Sequence, residues 1–170
     1  MTIDMKSVTS IDQLTGEDEL DAELLREMAR NAKEYLESFD WCPPIAEGFF
    51  GCGVGGILAV FLFRLAAKIG DSDDRLWVVV GDVPSAYLVT EHATDPPSAL
   101  SVYCDLMDQW TRAVVRGSPL DDVFPVAAHP TLENATTLTS RTKFIREEII
   151  PKCEGSRDSA GQKTWPSGPS

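Results

Sequence analysis

The sequence predicts an α+β fold: a small antiparallel meander of three to four strands, packed with an N-terminal helix and two C-terminal helices. Three observations predict it. Residues 76–80 and 86–90 are β-branched and aromatic runs on either side of Gly81-Asp82-Val83-Pro84-Ser85, which reads as two strands joined by a sharp bend. Residues 57–65 (ILAVFLFRL) are apolar at both odd and even positions, the pattern of a central strand covered on two sides. Long segments before and after this region carry apolar residues three and four apart, as helices do.

Taken in order, residues 1–16 have weak periodicity and are expected to form a flexible arm. Residues 17–39 predict a helix, with Leu20, Leu24, Met28, Tyr35, Leu36 and Phe39 along one stripe. Glu17, Asp18, Glu19 and Asp21 crowd its first turn, where acids suit the positive end of the helix dipole. Cys42-Pro43-Pro44 stops it, because proline cannot continue the hydrogen-bond ladder. Residues 45–53 read as a first strand whose Gly48, Gly51 and Gly53 imply a bulge, an edge or close approach by another backbone. Gly55-Gly56 is a turn. The strand at 57–65, for which a helix is the rival reading, needs cover on both faces from divided helices or from a partner subunit.

After a polar connection at 70–74 come the two strands already described. Asp95 then caps a helix with Pro96 in its first position, burying Leu100, Tyr103, Leu106, Met107, Trp110, Ala113 and Val114. Gly117 is its expected left-handed stop. Residues 120–124 form one helical turn at most, with Val123 and Phe124 anchoring a loop. A final helix over 131–150 carries Leu138, Ile145 and Ile149 and ends at Pro151. Residues 152–170, rich in Gly, Ser and Pro, are expected to be a disordered tail. This leaves a single domain over 17–151. Its strands, joined by short turns, pair antiparallel, because parallel pairing needs long crossovers.

The formal net charge of −12 is concentrated toward the N-terminus. Residues 1–40 hold 11 acids against 4 bases, and residues 41–150 hold 14 against 8. That balance argues against nucleic acid or an anionic membrane and suits a basic protein partner. No apolar leader opens the chain, and its longest apolar run is too short for a bilayer. Cys42, Cys52, Cys104 and Cys153 show no C-x-x-C pair, so they read as reduced thiols of a cytoplasmic protein with no metal and no cofactor. Gly51-Cys52-Gly53-Val54-Gly55-Gly56 lacks a Walker lysine and precedes a strand, so it does not cradle phosphate.

Asp82, at the end of a strand, is the foremost candidate for chemistry. With Glu47 it could form a proton-sharing carboxylate pair, and Tyr87 would complete a catalytic group. The plainer alternative is that Asp82 accepts hydrogen bonds from its own turn. Trp41, Phe49, Trp77 and His92 are candidates for ligand or partner contact. Phe49 and Phe50 are adjacent in a strand and must point to opposite faces.

The segment Trp77-Val78-Val79-Val80-Gly81-Asp82-Val83-Pro84-Ser85-Ala86-Tyr87-Leu88-Val89 resembles a line, W-V-x-V-G-D-x-P-x-A-Y-L-V, of a group of short uncharacterised bacterial proteins. Trp41-Cys42-Pro43-Pro44-Ile45, Gly55-Gly56 with Ala59-Val60-Phe61-Leu62, and Phe144-Ile145-Arg146-Glu147-Glu148-Ile149 extend the likeness over residues 39–151. A more distant likeness is to a domain with a W-W-x-I-S-G-D-L-P-T-D-Y line, whose second acid is absent here. Both resemblances imply one compact domain and bring no activity. The expectation is therefore a non-enzymatic, adaptor- or immunity-like protein that binds a basic protein. Alternatives are a small enzyme or ligand-binding domain built on Glu47, Asp82 and Tyr87, and a homodimer covering an exposed sheet face.

Overall fold

The computed structural model describes residues 3–70 and 73–155. Most of the tail expected to be disordered, 156–170, lies outside the described residues. Five antiparallel strands form one sheet in the order β1-β2-β3-β4-β5: Thr9–Ser10, Ile45–Val54, Leu58–Leu65, Arg75–Gly81 and Ala86–Val89. Helix α1 (Glu19–Glu37) covers one face. Helices α2 (Pro96–Arg116) and α3 (Leu132–Phe144) cover the other. The α+β meander is as expected, with one strand more.

β3 shows why both faces need cover. Leu58, Val60 and Leu62 join the core under α2 and α3, while Ala59, Phe61, Phe63 and Leu65 join the core under α1. Phe49 and Phe50 divide in the same way. The chain's own helices cover both faces, which removes the reason for a homodimer on an open sheet face.

The glycines act through close approach. β2 bulges between Phe50 and Cys52, where a Cβ on Gly51 would lie 3.0 Å from the Pro96 ring and from the Val60 carbonyl oxygen. Gly81 ends β4 at φ +143°, and a side chain there would run into the backbone of Ile57.

α1 starts at Asp18, which accepts from the Asp21 amide at 2.8 Å. α2 starts with a reciprocal Asp95–Ser98 capping box and stops at Gly117 with φ +68°. The α2 boundaries accord with the sequence, whereas α1 is two residues shorter at each end than the expected 17–39, with Asp18 as its cap and not part of its first turn.

Three expectations need correction. The N-terminal arm is packed: Ile3 and Leu14 are buried, and β1 pairs Thr9 with Phe50 and Ser10 with Phe49. Its two-residue strand is too short to leave a periodic signal. Pro151 does not end the last helix, which runs on over residues 150–155. A π turn at Ile145–Ile149, closed by the Ile150 amide on the Ile145 carbonyl, widens the ladder just ahead of the proline ring.

Finally, Cys52 and Cys153 are joined in a disulfide across 101 residues, their Cα atoms 5.8 Å apart. Only Cys42 and Cys104 are free thiols among the described residues. The argument from four reduced thiols to a cytoplasmic location therefore falls away. No helix among the described residues is long and apolar enough to cross a membrane.

Candidate functional site

Because Cys42-Pro43-Pro44 cannot extend α1, the chain turns at residues 38–42 and lays Phe39 and Trp41 beside strand β5. β5 lies at the edge of the sheet. Its Tyr87 points toward the α1 face, since its neighbours Ala86 and Leu88 are taken by the opposite core.

Tyr87 thereby becomes the hub of a five-ring cluster. Its ring lies 5.0 Å from Trp41, 5.3 Å from Phe39, 6.1 Å from Phe124 and 6.4 Å from Tyr35. Phe39 stacks on Trp41 at 5.3 Å and meets Tyr35 edge-on at 5.2 Å. Phe124 arrives from the loop between α2 and α3, which is tacked down by the half-buried Leu120, Val123 and Val126. Trp41 keeps 41% of its surface exposed. Burial first, and the neighbouring Tyr87 second, push the Tyr35 phenol up to about 12.

The two segments that carry four of the five rings are acidic. Residues 34–42 carry Glu34, Glu37 and Asp40, residues 117–126 carry Asp121 and Asp122, and neither stretch holds a Lys or Arg. All five carboxylates are exposed, and none has an ion-pair or hydrogen-bond partner among the described residues.

The proposed Asp82–Glu47–Tyr87 group does not form. Glu47 pairs with Arg64 at 2.6 Å, and Arg64 lies opposite Arg75 at the start of β4. Asp82 follows Gly81 at the far end of that strand, about 20 Å away at roughly 3.3 Å per residue. Asp82 is not absorbed by its own turn either. Its carboxylate accepts from Arg141 at 2.8 Å and its carbonyl from the same guanidinium at 3.0 Å. A hollow of about 340 Å³ beside it, lined by Pro84, Trp110, Asn134 and Arg141, contains this already neutralised pair.

Of the expected contact residues, Trp41 joins Tyr87, while the others scatter. Trp77 is fully buried and donates its indole N–H to the Ala93 carbonyl at 2.9 Å, so it is a core residue. Phe49 is half-buried on the α2 side, and His92 is exposed beside Glu91 at 3.9 Å. Tyr35, Phe39 and Phe124 were missed as members of a site. The first two fit the apolar stripe of the helix expected over 17–39 and the third looks like a loop anchor, so only their shared distance to Tyr87 reveals them. Among the described residues no three His, Cys, Asp or Glu side chains gather as a metal site.

Fold and site thus define an α/β/α sandwich with an aromatic, acid-rimmed patch at one sheet edge. No family model, no curated protein and no solved structure matches the chain.

Proposed function

We propose that this protein is a non-enzymatic binding protein whose aromatic patch docks a Lys- or Arg-bearing segment of a partner. The observation that carries this reading is the coincidence of five touching rings, one of them an exposed tryptophan, with five exposed and unpaired carboxylates. A cation over a Trp or Tyr face gains about 0.5–1 kcal/mol at an exposed site, and more when desolvated. Nearby carboxylates add steering and charge-assisted hydrogen bonds. Trp and Tyr also supply large, stiff contact area at low entropic cost, which is why they are enriched where interfaces are strongest. The acid pair that would favour an enzyme is dispersed, and its members are held in separate ion pairs.

Titration with a short Lys/Arg-rich peptide, read by calorimetry, tests the proposal. Binding that weakens with salt and drops about tenfold in Trp41→Ala supports it. A peptide that binds Trp41→Ala and the double variant Asp121→Asn/Asp122→Asn as well as it binds the parent overturns it.

A further inference from the structure

The far side of the molecule has the opposite polarity. Arg112 and Arg116 lie one helical turn apart on α2, facing Lys143 of α3 and Arg146 of the π turn across a groove of about 570 Å³. Thr111, Thr139 and Thr142 line the groove between them.

Among the described cations outside the groove, Lys6, Arg30, Lys33 and Lys68 have no carboxylate within 4.0 Å. Arg26, Arg64, Arg75, Arg141 and Lys152 each have one within 4.0 Å. Arg116 and Lys143 have none among the described residues, and the one hydrogen bond of Arg112 goes to the Asp108 carbonyl at 3.4 Å. Asp108 cannot neutralise them. Its two carboxylate oxygens are taken by Thr142, at 2.9 Å, and by Arg146. Arg146 is fixed further by Asp105 at 2.8 Å, so it forms a wall of the groove while the other three cations stay without a carboxylate partner.

Helix-end electrostatics accounts for Arg116, in the last turn of α2, but not for the rest. Arg112 precedes that turn, and Lys143 is followed by helical residues as far as 155. The π turn that carries Arg146 is itself a costlier conformation than the α-helix, and such turns recur at functional sites.

We propose that this groove binds a small polyvalent anion bearing phosphoryl or carboxylate groups. Its volume falls within the range of small-molecule sites. The guanidinium forks of Arg112 and Arg116 and the Lys143 ammonium match the oxygens of either group, whereas the threonine hydroxyls already donate within the protein. Glu147 lines one end of the groove, and the surface beyond it carries Asp105 and Glu148 on a protein of net charge −12, which repels an extended polyanion such as nucleic acid or an acidic polypeptide. This site lies across the sheet from the aromatic patch and stands independently of its role.

Calorimetric titration at low salt with pyrophosphate, citrate and a poly-glutamate peptide tests the assignment. Pyrophosphate or citrate is expected to bind, the stronger of the two identifying the anion chemistry. The Arg116→Ala/Lys143→Ala variant, altered only at exposed side chains, is expected to lose about tenfold or more in affinity. A control, Arg30→Ala/Lys33→Ala, removes two exposed cations from α1 and is expected to bind as the parent does. The proposal is overturned by the absence of binding of both small anions up to about 10 mM. Equal losses in the two variants, or binding of the peptide alone, also overturn it.

Discussion

Arg141 grips Asp82 twice, Nη2 on the carboxylate at 2.8 Å and Nε on the backbone carbonyl at 3.0 Å. This double contact ties α3 to the bend after β4, where the Asp82 amide already donates to the Ile57 carbonyl at 2.8 Å. Both side chains are well exposed, so the pair's worth is limited by solvent screening. Arg141→Ala is expected to cost no more than about 1 kcal/mol in urea unfolding. Hydrogen exchange should nevertheless speed up at the Asp82 amide. A loss well above that figure would mean that the bend depends on α3 for its fold.

Asp21 makes a larger difference. One of its carboxylate oxygens accepts from the Gly55 amide at 2.8 Å and the other from the Glu17 amide at 2.9 Å. It therefore holds the β2–β3 turn against the first turn of α1. The Asp21→Ala change leaves two amides without partners and is expected to cost about 1–2 kcal/mol, seen as a lower denaturation midpoint at unchanged slope.

These two ties show where the sequence is informative and where it stops. The two-sided apolar run of β3, the glycine-rich turn and the Asp95 and Gly117 helix boundaries are local signals, written within a few residues of where they act. The Asp21–Gly55, Arg141–Asp82 and Cys52–Cys153 links join residues 34, 59 and 101 positions apart, and nothing near either partner announces the other. The same holds for the candidate site. Trp41 was legible as a contact candidate and Tyr87 as a member of a different group, but Phe124 reaches them only because α2 returns the loop to the β5 edge.

The disulfide gives a third prediction. It closes a loop of about a hundred residues, and removing such a link typically costs about 2–5 kcal/mol. Cys52→Ser/Cys153→Ser is expected to melt well below the parent, and reductant should bring the parent to the same point. Thiol titration in denaturant should count two free groups before reduction and four after it. In the native protein Cys104 should resist thiol reagents at neutral pH. Burial pushes its thiol up to about 12, a shift that the nearby Asp108 and Asp105 reinforce and Arg146 partly offsets.

Alkaline titration probes the aromatic patch directly. The Tyr35 phenol is raised from 10.0 to about 12, chiefly by burial and then by the adjacent Tyr87. A folded-state value above the unfolded one contributes stability that is fully present below pH 10 and is lost as pH rises through about 12. Burial also raises Tyr103, whose hydroxyl donates to the Pro84 carbonyl at 2.6 Å. Two of the three tyrosines should therefore stay protonated past their usual range, and their phenolate absorbance should rise together with loss of the fold. Tyr87→Phe removes the charge that opposes ionisation of Tyr35. That variant is expected to show Tyr35 ionising earlier, at lower pH, while Tyr103 still waits for unfolding. If the Tyr35 transition did not move in Tyr87→Phe, the two phenols would not be electrostatic neighbours, and the hub geometry of the patch would have to be redrawn.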